Sequence, residues 1–444
     1  MPFLINNALI INEGQSFIGG VLVENAMIVA VYKGAPTGYP QGIRVVDATG
    51  KWLLPGAIDD QVHFREPGLT HKGDIRSESR AAVAGGITSF MDMPNTKPQT
   101  TTIEELMWKF VRASEVSSAN YSFFFGGTNE NTDLLKQLDP RRVPGIKLFL
   151  GSSTGNMLVD AEESLHRFFG ETDLLIAIHA EKEETIRSNR DAYISQYGEN
   201  LGISFHPLVR SAEACYASSS EAVALATKLG TRLHIFHLST AKELSLLDGG
   251  ALSDRKITGE VCIPHLWFCD ADYQAFGNRI KWNPAIKTAT DREALRRALN
   301  NDTIVNVATD HAPHLLSEKE GSCLTAASGG PLVQHALLAM LEMVFDGIFT
   351  KEKVVEKMSH HPAELYHIDR RGYIREGYYA DLVLIDPFQS TTVTQDNLLY
   401  KCKWSPFEGY TFHHSVYKTF VNGREVFSDG KIIQDSVGME LKFK

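Results

Sequence analysis

Residues 4–11, 20–23 and 27–31 form apolar or alternating runs, broken by Asn-Glu-Gly and Glu-Asn. This is the pattern of short strands separated by turns. The last seventy residues repeat it at 380–385, 415–421 and 424–427, where Asn422-Gly423 supplies a hairpin turn. Between Leu54 and about Asp369 the texture changes. Short β-rich runs at 87–91, 121–125, 146–150, 174–178, 233–236 and 303–307 alternate with amphipathic segments such as 102–114 and 219–229. Strands spaced by helices predict a parallel sheet, and this many units predict a closed barrel.

Length fits this pattern only in one way. A plain α/β barrel takes roughly 250 residues, and the chain has 444. Two separate terminal β-modules would each have a marginal core. The expectation is therefore one small β-domain assembled from both ends, residues 1–54 and 371–444, around an enlarged (β/α)8 barrel at 55–370. A formal net charge of −10 argues against nonspecific nucleic-acid binding and against attraction to an anionic membrane. Five cysteines without a CxxC pair fit a reduced, cytoplasmic setting. The N-terminus does not read as a secretion signal, and no run approaches the roughly 18 apolar residues of a membrane span.

Chemistry collects where the predicted strands end. The run from Ala57 ends in His63 and Arg65, and a lysine, Lys147, sits inside an apolar strand. Two further runs end in His179 and His237, and another in Asp310. Residues at the C-terminal ends of barrel strands converge on one face. Singly each has a plain structural role: a strand-end histidine hydrogen-bonds a loop, Lys147 pairs a carboxylate, Asp310 caps a helix. That plain role suits His71, His166, His206 and His265, and His360-His361-Pro362 reads as a loop at a helix start. Five coincidences at corresponding strand ends favour a metal site. Imidazole and carboxylate suit zinc, and a desolvated lysine amine can take up carbon dioxide to give a carbamate that bridges two metals.

The segments Asp59-Asp60-Gln61-Val62-His63-Phe64-Arg65-Glu66-Pro67-Gly68, Met93-Pro94-Asn95-Thr96 and Thr309-Asp310-His311-Ala312-Pro313-His314 resemble the signatures of dihydroorotases in the amidohydrolase superfamily. The likeness extends to the flanks at 47–56 and 377–382. It implies a (β/α)8 barrel that interconverts carbamoyl-aspartate and dihydroorotate with one or two zinc ions, in a cytoplasmic homodimer. His63, Lys147, His179, His237 and Asp310 match metal positions, with Lys147 carboxylated and Asp310 also the general acid and base. Arg65, Asn95, Asn283 and His314 match substrate contacts, as do Ser328 and Gly329 in a less typical local sequence.

One position departs from the family. Gln61 stands where the motif has histidine, and a neutral carbonyl oxygen is a poorer zinc donor. The expectation is a weakened or absent second metal, with His63 still nearby. Two other functions compete with the first. A hydantoinase- or allantoinase-like cyclic amidase would not need Arg65, and an impaired homologue would serve as a scaffold, for example beside the transcarbamoylase that makes carbamoyl-aspartate.

Overall fold

The computed structural model of the chain describes residues 2–151 and 157–444. Its centre is a ring of eight parallel strands: β1 (Ala57–Val62), β2 (Ile87–Asp92), β3 (Asn120–Phe123, resumed at Phe125–Gly126), β4 (Ile146–Phe149), β5 (Ile176–His179), β6 (Leu233–Ile235), β7 (Ile257–Cys262) and β8 (Asn306–Ala308). The interruption in β3 lets one strand serve two neighbours. Phe124 N–H donates to Asp92 of β2, and Phe125 N–H donates to Gly145 at the start of β4. The ring closes just past β8, where His311 bridges Val62 in parallel register and His63 N–H donates to His311 O at 2.7 Å.

Local chemistry explains the helices between the strands. The Asp74, Thr102, Ser211 and Thr288 side chains each accept a backbone N–H in the first turn of the helix that follows. The helix Ala212–Leu229 ends on Gly230 at φ 75°, a left-handed cap that favours glycine. It begins seven residues before the apolar periodicity at 219 suggests, because Ser211 starts it and small residues continue it.

The two chain ends build one nine-stranded sheet. Leu382–Asp386 lies between Trp52–Pro55 on one side and Ser415–Val421 on the other, antiparallel to both. Leu53, Leu382, Leu384 and Phe420 are buried in its own apolar cluster. The architecture is thus a (β/α)8 barrel with a β-domain composed from both termini.

Two local expectations fail. The strand expected at 303–307 runs Asn306–Ala308, because pairing to β7 starts only at Glu260–Asn306. His360-His361-Pro362 is not a loop: a π turn, Glu356–His360, runs directly into the helix His361–Leu365.

Candidate metal and substrate site

The strand ends enclose a cavity of about 340 Å³, and every candidate residue named from the sequence lines it. Phe149, Arg210, Trp282, Ala312 and Ala327 complete the wall. Three of the lining residues, Arg65 (φ 68°), His237 (φ 41°) and Asp310 (φ 49°), sit in the left-handed backbone region. That conformation is uncommon for residues other than glycine, and such strain gathers at functional sites. It turns each side chain inward just beyond its strand.

On one side of the floor, His179 Nδ1 and His237 Nε2 face each other at 3.0 Å. His179 Nε2 lies 3.0 Å from the buried Glu181 carboxylate, which also pairs with Arg210. The Glu181 carboxylate thus lies beside one ring nitrogen of His179 while the other meets His237. The two facing nitrogens share a hydrogen bond and point into the same space. Burial pushes both imidazoles below the usual histidine range, so both are neutral. Lys147 Nζ is buried without a hydrogen-bond partner, and burial pushes its pKa down to about 7. Two neutral imidazoles whose nitrogens converge beside a buried amine that has no hydrogen-bond partner among the described residues form a donor set that fits a divalent cation.

The other side is arranged differently. His63 Nε2 is 3.2 Å from Asp310 Oδ1, and His63 Nδ1 is 2.7 Å from Asn95 Oδ1. Asn95, matched by resemblance to substrate, here also orients a histidine. Gln61 turns its amide nitrogen towards Asp310 at 3.5 Å, while its carbonyl oxygen accepts from the Cys262 thiol at 3.2 Å. In this orientation the one atom of Gln61 able to bind a cation is already engaged.

Arg65 occupies the wall. It is buried, and no carboxylate among the described residues lies within ion-pair distance; Glu66 pairs with Arg112 instead. Arg65 Nε donates to Pro313 O at 3.0 Å, and Nη2 lies 3.1 Å from His314 Nε2. Lys72 Nζ lies 3.1 Å from His314 Nδ1. Burial and the flanking Arg65 and Lys72 hold His314 far below its ordinary range, so the ring is neutral. Burial lowers Arg65 to about 10, which leaves it charged at neutral pH. Ser328 and Gly329 form the rim, where Gly329 N–H donates to Lys281 O at 2.8 Å. Gly329 has φ 114°, and a Cβ at this position would lie only 2.7 Å from Ala312, so there is no space for a side chain.

Sequence reading missed Glu181, Arg210 and Cys262, whose roles depend on contacts across the barrel. Only Glu181 carried a local signal, two residues beyond His179. The plain roles given to two other histidines agree with the structure: His206 reaches Trp282 O at 2.7 Å and His265 reaches Pro284 O at 3.0 Å. Asp310 caps no helix. Among the described residues, no helix is long and apolar enough to cross a membrane.

Comparison with known proteins agrees with this geometry. The amidohydrolase family profile matches residues 52–426. A dihydroorotase of Halobacterium salinarum is 34% identical over 409 residues, covering 89% of this chain and 91% of that protein. A dihydroorotase of Carboxydothermus hydrogenoformans is 32% identical, covering 91% and 93%. Among solved structures, the L-hydantoinase (dihydropyrimidinase) of Arthrobacter aurescens superposes with a TM-score of 0.94 at 24% identity, covering 99% of both chains. At that identity the likeness speaks for the fold alone.

Proposed function

This chain belongs to the amidohydrolase family, and from that premise we propose that it catalyses the dihydroorotase reaction, the reversible cyclisation of N-carbamoyl-L-aspartate to dihydroorotate in cytoplasmic pyrimidine biosynthesis. The observation that carries the reading is Arg65: a charged guanidinium, buried in the cavity wall with no carboxylate partner among the described residues. Leaving it unpaired is costly unless an anion completes it. The substrate carboxylate is that anion, and it pairs with a guanidinium through two parallel hydrogen bonds. Cyclic amidases of the hydantoin type act on rings without this carboxylate and have no use for the group.

The donor set fits metal, and we assign it to zinc. Lys147, His179 and His237 would hold one ion, and His63, Asp310 and the carboxylated Lys147 a weaker second. A bound metal would polarise the ring carbonyl and lower the pKa of water to roughly 7. The neutral Lys147 amine would become a carbamate by attacking carbon dioxide, forming a C–N bond and releasing one proton. The rest falls to the chain's own side chains. Arg65 and His314 hold the carboxylate, Asn95 and Asn283 orient the ring, and the Ser328–Gly329 backbone lies along its edge. Asp310 accepts the proton of the attacking water. As the new C–O bond forms and the ring C–N bond breaks, it returns that proton to the leaving nitrogen. In the biosynthetic direction the same carboxylate works in reverse.

Residues 1–54 and 371–444 serve in this reading as the two halves of the β-domain and 55–370 as the catalytic barrel, in a homodimer. The test is a ring-opening absorbance assay with dihydroorotate, run beside hydantoin. Arg65→Met should raise KM for dihydroorotate roughly 10- to 100-fold, the equivalent of one charge-assisted pair. An unchanged KM, or preference for hydantoin, would refute the assignment, and no turnover of either by the zinc-loaded protein would favour the scaffold.

A further inference from the structure

Beneath the cavity the barrel interior holds a second polar group that catalysis does not use. Asp60 on β1, His234 on β6 and Glu260 on β7 are fully buried, and their donor atoms all lie within 4.8 Å of one another. None of the three lines the cavity. Asp60 and His234 each precede a residue of the catalytic floor, His63 and His237, by three positions, roughly 10 Å along a strand. The layer is closed by Asn306 of β8 and by Tyr366. We propose that Asp60, His234 and Glu260 form an internal binding site for a divalent cation of the manganese–zinc class.

Three observations support this. The first is the tautomer of His234. The Thr258 hydroxyl donates to Leu233 O, so it accepts from His234 Nδ1 at 2.8 Å. The ring hydrogen is thereby fixed on Nδ1, and Nε2 presents a lone pair to Glu260 Oε2 at 3.3 Å. Two acceptors at that distance repel unless something positive lies between them. The arrangement, with one ring nitrogen anchored and the other directed at a carboxylate, is how proteins orient a metal-binding histidine.

The second is charge. Among the described residues, no lysine or arginine lies within ion-pair distance of Asp60 or Glu260. Asn306 Nδ2 draws the two carboxylates together, donating to both oxygens of Asp60 at 2.9 and 3.0 Å and to Glu260 at 3.2 Å. Two adjacent carboxylates in a dry interior require a compensating positive charge.

The third is unsatisfied capacity. The Tyr366 hydroxyl is buried against Asp60 and, among the described residues, meets the hydrogen-bond geometry of no partner. That oxygen can extend the three-donor set towards a full coordination sphere. Two carboxylates and an imidazole suit first-row divalent ions better than calcium or magnesium, which favour all-oxygen shells.

The deciding experiment is an anomalous difference map from crystals of the full chain, expressed with manganese in one preparation and zinc in another. A peak within roughly 2.0–2.3 Å of the Asp60 and Glu260 oxygens and His234 Nε2 is expected with one metal or both. It would be separate from density between His179 and His237. Asp60→Asn should remove that peak and lower the metal content by one equivalent per chain, while the His179–His237 metal remains. Featureless density at the cluster in both wild-type maps would overturn the site and leave a shared proton as its neutralising charge. The wild-type maps suffice if the variant does not fold. Dihydroorotate turnover is scored separately: an active enzyme without the peak loses this site and keeps the proposed function, and an inactive protein with the peak does the opposite.

Discussion

The two sides of the catalytic floor differ in how complete they are without a ligand. Around His179 and His237, two ring nitrogens meet at 3.0 Å, the Lys147 amine has no hydrogen-bond partner among the described residues, and the Glu181 carboxylate lies 3.0 Å behind His179. That side keeps a buried amine that the described protein groups leave unsatisfied. Around His63 the groups largely satisfy one another: Asn95 takes one nitrogen, Asp310 faces the other, and the Gln61 oxygen is bound to a thiol. The comparison teaches that glutamine at position 61 closes this side on itself, because its amide finds protein partners in Asp310 and Cys262.

Asp310 is where the two sides meet, and its loss should have the largest effect. Asp310→Asn should lower kcat roughly 10²- to 10⁴-fold, the usual worth of a positioned acid–base group, with little change in thermal stability. Turnover near wild type would mean that the self-satisfied half contributes no proton transfer. Next in size, Glu181→Gln removes the carboxylate charge that lies 3.0 Å from His179 Nε2. Zinc affinity measured by chelator competition should fall about 10- to 100-fold. An unchanged affinity would show that the first half needs no support from behind.

A smaller change is expected from Gln61→His. It should raise the zinc content of the purified protein, read by mass spectrometry, towards two ions per chain. No increase would show that the His63 side is closed for some reason other than Gln61. The smallest effect is a pH dependence. Burial places the Lys147 amine near pKa 7, so its reactive neutral fraction grows as pH rises through that value. Recovery of metal-stripped enzyme on adding zinc and bicarbonate should therefore quicken from pH 6 to 8 and level off above it. A rate independent of bicarbonate would separate Lys147 from carbamate chemistry.

Much of this was legible because strand periodicity and strand-end chemistry are local. His63, His179, His237 and Asp310 each follow an apolar run that has to cross the barrel, so their convergence could be read from spacing alone. The composite sheet was legible for a related reason, since two marginal β-regions each need a partner. What escaped depended on contacts between distant segments. Glu181 lies two residues beyond His179, but its charge partner Arg210 is twenty-nine residues on. Cys262 does so only through Gln61, across the barrel. Irregular pairing between Asp59 and Val62 places both Asp60 and Gln61 among interior groups, which strict alternation along a strand does not allow. The late start of β8 follows from its partner's register, which the apolar run 303–307 does not encode.

The position of Leu382–Asp386 between Trp52–Pro55 and Ser415–Val421 also sets the order of events during synthesis. The opening strands leave the ribosome first, yet the neighbour that Trp52–Pro55 needs arrives more than three hundred residues later. Until then that edge is an exposed pairing surface, open to other nascent chains. High contact order of this kind slows folding, since long loops must close before any contact rewards them. The joint between the two halves of the terminal sheet therefore cannot form until residues 382–386 have been made, after nearly the whole barrel sequence.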